Sequence, residues 1–132
     1  GLEGGLSLAR IFGWVFAPVA WLMGAEGWAD SQALGTLLGL KISVNELVAI
    51  QTMTEGGTAA FQNPRTAKMA AYALCGFANL TSVAIQLASF TSLAPERRPE
   101  IARFGLRAIL AGTLSNLTSA AIAGTQASAI AA

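Results

Sequence analysis

Glu46 is the residue that first asks for an explanation: a carboxylate set in the run 41–50, Lys-Ile-Ser-Val-Asn-Glu-Leu-Val-Ala-Ile, where most neighbours are apolar. Some thirty residues on, Asn79 and Ser82 lie in a polar cluster at 75–82, Cys-Gly-Phe-Ala-Asn-Leu-Thr-Ser, inside a long uncharged stretch. Together these side chains supply a carboxylate, an amide and a hydroxyl, with no nucleophile paired to a base. Such a set recognises a solute rather than transforming it. Hydroxyls could donate to the carboxylate while the amide both donates and accepts, so a polyhydroxylated neutral solute, a sugar or a nucleoside, would suit it.

Each residue also has a structural reading, and from pattern alone both stay open. Glu46 could sit at the membrane interface or pair with Lys41. A charge held at the bilayer centre costs about 2.5 to 3.5 kcal/mol on insertion scales, so at depth it needs a cavity or a partner. Asn79 and Ser82, spaced i, i+3 on one helix face, could serve helix–helix hydrogen bonding. Phe77 could be packing, and Cys75 reads as a small buried side chain without chemistry.

The composition says what holds these groups. The chain is 54% hydrophobic and 11% charged, with a mean hydropathy of +0.56, whereas soluble domains carry about 25% charged residues. This is the composition of a membrane protein. Eight basic and seven acidic residues leave a net charge of +1, with no footprint for nucleic acid. One cysteine and no histidine exclude an intramolecular disulfide and the usual zinc, triad and proton-shuttle arrangements. Residues 1–7, Gly-Leu-Glu-Gly-Gly-Leu-Ser, read as a loop entering something already under way, which suggests a fragment, and they show no targeting features.

Residues 8–24 are apolar, contain Pro18, and carry Trp14 and Trp21, with Trp28 beyond. Their fifteen uncharged residues, 11–25, make about 22 Å of helix, short of the roughly 30 Å hydrocarbon core. The expectation is a helix lying at the interface, with a tilted spanning helix as the competing reading. Asp30 or Ser31 is the expected cap of the next helix. Two short apolar pieces joined at Asn45-Glu46 then suggest a re-entrant hairpin over 30–54. With Asn45 capping the second piece, Glu46 falls in its first turn, where the helix dipole favours an anion.

Residues 54–66 read as a surface loop. From 69 to 95 there is no charge, and the polar cluster near the middle predicts a broken transmembrane helix over 66–93. A turn follows, with Arg97, Arg98, Arg103 and Arg107 gathered at or just after it. The positive-inside rule places that turn in the cytoplasm and the hairpin mouth and C-terminus outside. A last transmembrane helix covers 99–130, rich in small residues suited to close packing.

At these clusters the sequence resembles the concentrative nucleoside transporter family of bacterial type. The resemblance rests on Ile11-Phe-Gly-Trp-Val-Phe-Ala-Pro-Val-Ala-Trp-Leu-Met-Gly24, Asn45-Glu46, Ala73-Leu-Cys-Gly-Phe-Ala-Asn-Leu80 and Ala94-Pro-Glu-Arg-Arg98. It continues through Ile101-Ala-Arg-Phe-Gly-Leu-Arg-Ala108 and Leu110-Ala-Gly-Thr-Leu-Ser-Asn116, covering nearly the whole chain. It implies an all-α membrane protein: the second of two inverted repeats, made of an interfacial helix, a re-entrant helical hairpin, a broken transmembrane helix and a final transmembrane helix.

It further implies that Glu46, Asn79 and Ser82 hold the ribose, that Phe77 packs against the nucleoside, and that Asn45 belongs to the same substrate-binding motif. Ile50 departs from the tyrosine of many members and Thr81 from the usual serine. The first hairpin, with its Gly-Gln-Ser/Thr-Glu motif for the base, and the helix that helps bind sodium have no counterpart in this chain. The implied activity is sodium- or proton-coupled symport of a nucleoside such as uridine across the cytoplasmic (inner) membrane. The implied protein is a multi-pass homotrimer with an elevator-like movement, its coupling ion bound mainly by an absent N-terminal half. No cofactor beyond that ion, and no metal site in this chain, is implied. The competing expectation is a non-transporting membrane scaffold that only packs against partner helices; an intramembrane enzyme would need a nucleophile and base that the chain lacks.

Overall fold

The computed structural model describes residues 7–55 and 61–130, and among these the regular structure is entirely helical. Residues 1–6 of the expected entry loop, the paired glycines of the expected 54–66 loop and the last residues, 131–132, lie outside the described residues.

Helix α1 (Leu8–Leu22) starts at Ser7, whose Oγ accepts from the Arg10 amide at 3.2 Å, a side-chain N-cap. It runs through Pro18 to Leu22; beyond it Gly24 adopts φ +102° and Gly27 φ +82°. Only glycine takes such angles at little cost, so the two glycines turn the chain back into α2 (Trp28–Ser43). The α1–α2 pair packs backbone against backbone: a Cβ built on Gly35 would lie 2.7 Å from the Ala17 amide nitrogen and 2.9 Å from the Gly13 carbonyl. Thr36 Oγ1 donates to the Ala9 carbonyl across the same interface at 3.2 Å. Small residues of this kind let helices associate closely where no water drives them together. The opposite face of α1 leaves Trp14, Val15, Trp21 and Leu22 exposed.

The expected cap of α2 is corrected. The helix begins at Trp28, so Asp30 and Ser31 lie inside its first turn. Asp30 is buried and its carboxylate accepts from the Gln62 and Asn63 amides at 2.8 and 3.0 Å, while Ser31 Oγ donates to the Gly27 carbonyl at 2.9 Å. A tertiary demand for an acceptor has taken a residue that local pattern assigns to capping.

Only Val44 and Asn45 separate α2 from α3 (Glu46–Glu55), which extends to the start of the expected loop. Asn63, whose Oδ1 accepts from the Arg65 amide at 2.8 Å, and Pro64 at the first helical position set the start of α4 (Pro64–Leu74). Residues 75–79 are not helical, and the chain resumes as α5 (Leu80–Leu93). A single 3-10 turn, Pro95–Arg97, leads into α6 (Arg98–Ile130).

The core forms where α2, α3 and α4 meet, around Leu34, Leu37, Leu38, Ala49, Ala70, Ala73 and Leu74, with Phe61 and Ala120 closing it. Helices α4 and α5 both lie on α6, where Gly124 and Gly112 admit Met69 and Ala78. Helix α5 buries none of its own residues. Among the described residues, the stretch Pro95–Ala127 is the one helix long and apolar enough to cross a membrane, and α1 and α5 are shorter apolar helices.

Candidate functional site

The helix break at 75–79 and the hairpin tip at 44–46 face each other, and the sequence fixes both locally. At the tip, the Asn45 side chain accepts from the Val48 amide at 2.9 Å, which starts α3 and leaves Glu46 as its first residue. At the break, the Asn79 Oδ1 accepts from the Ser82 amide at 2.7 Å, which starts α5. Two half-helix N-termini, each with free amides and the positive end of its dipole, are therefore set by asparagines on either side of one carboxylate.

The two clusters meet through side chains. Asn79 Nδ2 donates to Glu46 Oε2 at 2.7 Å, and Asn79 is 0% exposed. Its amide thus serves both elements, capping α5 with its oxygen and holding Glu46 with its nitrogen. Glu46 and Ser82 are only partly buried. Glu46 Oε1 and the Ser82 hydroxyl receive no protein hydrogen bond among the described residues, so an acceptor and a donor–acceptor remain free beside the buried amide.

Phe77 lies in the break with its side chain largely free, 73% exposed. Cys75 is exposed as well, which corrects the expectation of a buried thiol: unwinding the helix beyond Leu74 carries it off the packed face of α4. The residues between stay close to α6. A Cβ on Gly76 would fall 1.9 Å from Asn116 Nδ2, so only glycine lets the Asn116 amide lie over the break.

Two further contacts escaped sequence reasoning. Thr81 Oγ1 donates to the Val44 carbonyl at 2.7 Å, and Lys41 Nζ donates to the Ala73 carbonyl at 2.5 Å. Among the described residues Lys41 and Glu46 make no direct ion pair, though the carboxylate is near enough to act on the ammonium through its charge. The signal of Lys41 in the sequence was its position, a cation close to the hairpin tip in an otherwise apolar segment. With Asn79, these residues make three ties between the hairpin and both halves of the broken helix. Among the described residues no group of three or more histidine, cysteine, aspartate or glutamate side chains could hold a metal ion.

Comparison with known proteins places this arrangement. The chain shares 47% identity over 120 residues with the Bacillus subtilis (strain 168) "Uncharacterized transporter YutK", covering 91% of this chain and 29% of that protein. It shares 38% over 122 residues with "Nucleoside permease NupC" of Helicobacter pylori, covering 90% and 29%. It superposes on the structure of CNTnw in an inward-facing substrate-bound state with a TM-score of 0.83 at 41% identity, over 94% of this chain and 30% of that one. The chain thus spans less than a third of the length of these relatives. Residues 2–124 match the family described as Na+ dependent nucleoside transporter C-terminus, and the chain belongs to that family.

Proposed function

We propose that this chain is the C-terminal repeat of a sodium- or proton-coupled nucleoside symporter of the cytoplasmic membrane, and that it supplies the ribose side of the substrate site. The observation that carries the reading is the Glu46–Asn79 pair, with an open carboxylate oxygen and the free Ser82 hydroxyl beside it. A ribose presents vicinal hydroxyls that both donate and accept. Glu46 accepts from them and Ser82 donates to them, while the buried Asn79 amide holds Glu46 in place for the ribose. The exposed Phe77 ring offers an apolar face to the nucleoside, and Asn45 holds the tip that carries Glu46.

In the bilayer, α1 lies at the interface with its tryptophans outward, α2 and α3 form a re-entrant hairpin, α4 and α5 a broken span, and α6 the last span of a multi-pass protein. Non-helical backbone at the tip and the break is tolerated there because it is buried in protein or lines a wet cavity. The arginine-bearing turn after α5 faces the cytoplasm. The base side of the site and most of the coupling-ion site belong to an N-terminal half, within a homotrimer whose substrate-holding domains move elevator-fashion. The names of the relatives, nucleoside permease and sodium/nucleoside cotransporter among them, support this substrate class.

Uptake of radiolabelled uridine by the full-length protein tests the reading. Glu46→Gln should lower uptake by about two orders of magnitude while leaving the amount of protein in the membrane unchanged, as expected when a charge-assisted bond is lost. Wild-type uptake by that variant would overturn the assignment. The same assay with and without sodium distinguishes sodium from proton coupling.

A further inference from the structure

Lys41 is 2% exposed, and a buried ammonium is stable only where its charge and its donors find partners. Its Nζ donates to the Ala73 carbonyl, in the last turn of α4. The final carbonyls of a helix have no intrahelical donor and carry the negative end of the dipole, so a cation placed there answers both.

This carbonyl borders the break. Beyond Leu74 the chain unwinds, and Asn79 restarts it as α5. Lys41 holds the upstream edge of that gap, and the Thr81–Val44 hydrogen bond holds the downstream edge. Asn79, between them, reaches Glu46. Both anchors on the hairpin side, Lys41 and Val44, lie within five residues of Glu46 in sequence, so the hairpin that carries the carboxylate also sets the frame of the break.

In transporters with discontinuous helices, the C-terminal ends of half-helices and the unwound carbonyls are where small cations are coordinated. Here the chain's own ammonium stands at such an end. We propose that Lys41 is a tethered cation: its ammonium takes the place of an exchangeable cation at this break, and by fixing the end of α4 it positions Asn79 for Glu46. This half of the site is then assembled whether or not a coupling ion is bound. The consequence for nucleoside affinity rests on the ribose reading given above; the tethered cation itself does not.

The test uses the full-length protein in detergent with two variants. Lys41→Met keeps most of the side-chain length and removes the charge, and Lys41→Ala removes both. By calorimetry, Lys41→Met should bind uridine at least about tenfold more weakly than wild type, as for loss of a hydrogen bond from a charged group. Without nucleoside, ethylammonium should raise the thermal unfolding midpoint of Lys41→Ala above its value in the same concentration of tetramethylammonium, which is too large to enter, while wild type responds equally to both. Acetamide, neutral and of similar size, should not reproduce the effect.

Wild-type uridine affinity in Lys41→Met would overturn the positioning role, and equal rescue of Lys41→Ala by acetamide would overturn the cation, leaving a mere void. Should Lys41→Ala not fold, Lys41→Met still reads the charge through its affinity. Glu46→Gln, measured alongside, separates the two readings: if it binds uridine normally the ribose assignment fails, and the response of Lys41→Ala to ethylammonium still decides the tether.

Discussion

Asn79 donates to Glu46 across 33 positions of sequence, at 2.7 Å, with the amide fully buried and the carboxylate only partly so. The same amide caps α5 through its other end. Two functions in one side chain can be separated by substitution. Serine is as good an N-cap as asparagine but is too short to reach Glu46. Asn79→Ser should therefore lose about 1.5 to 3 kcal/mol of stability with the bond to the carboxylate and little with the cap, while uridine affinity falls by about tenfold or more. Paired calorimetry and thermal melts check this. Wild-type uridine affinity in Asn79→Ser would mean that Asn79 acts only as a cap.

Gly76 and Asn116 are the next pair to test. A methyl group on Gly76 would overlap the Asn116 amide, its Cβ 1.9 Å from Nδ2 and 2.4 Å from Oδ1. Because the nearest atoms belong to a side chain, removing that side chain should relieve the clash. Gly76→Ala is expected to destabilise by about 1 to 3 kcal/mol, the range for overpacking. In Gly76→Ala/Asn116→Ala much of that loss should return, giving a favourable coupling in a double-mutant cycle read by thermal unfolding. Additive losses would place the strain in the backbone of the break instead.

What the sequence discloses here, and what it hides, follows from range. The break was legible because Gly76, Asn79, Thr81 and Ser82 are poor interior residues for an apolar helix and stand together. The hairpin was legible because two apolar pieces too short to span flank Asn45-Glu46. That Glu46 meets Asn79 is a tertiary fact, carried by family resemblance and not by spacing. The start of α2 was misread for the same reason: Asp30 has the side chain of a cap, yet it satisfies amides 32 and 33 residues away. Cys75 looked buried because its neighbours are apolar, and exposure came from unwinding, which hydropathy does not register. Lys41 was visible as a lone cation, but its acceptor, a carbonyl at a helix end, leaves no trace in residue type.

The α1–α2 contact makes a prediction by contrast. At Gly35 an added Cβ would meet backbone atoms of Ala17, Gly13 and Phe16, all within 2.9 Å. Backbone in a helix cannot give way without moving the whole helix, so Gly35→Ala should force the pair apart. At Gly105 the only close atom is Val83 Cγ1, at 2.9 Å, the tip of a side chain on an exposed helix. Gly105→Ala should be near neutral, and the better helix propensity of alanine could add as much as about 1 kcal/mol. Thermal unfolding of the two variants should thus differ in sign or by more than about 2 kcal/mol. Equal midpoints would mean that the α1–α2 approach is not tight in the membrane.

The start of α4 is held by two acids of very different worth. Asp30 is 1% exposed and accepts two backbone amides, those of Gln62 and Asn63. Glu26 has a side chain 55% exposed and pairs with Arg65 at 2.8 Å, while also accepting from Asn63 Nδ2 at 2.5 Å. Exposed ion pairs are worth about 1 kcal/mol or less, because water screens the charges and the side chains lose freedom in pairing. A buried acceptor that leaves an amide unsatisfied when altered costs about 1 to 3 kcal/mol. Asp30→Asn replaces one acceptor oxygen by a donor facing an amide, so it should destabilise by about 2 kcal/mol or more. Glu26→Gln keeps an acceptor for Asn63 and should lose about 1 kcal/mol at most, and less at high salt. Arg65 would retain its bond from Nε to the Gly124 carbonyl, at 3.0 Å, and with it the link between α4 and α6. Denaturation of both variants at low and at high salt decides the order. A larger loss for Glu26→Gln, or a salt dependence for Asp30→Asn alone, would show that the anchor is the surface pair and not the buried carboxylate.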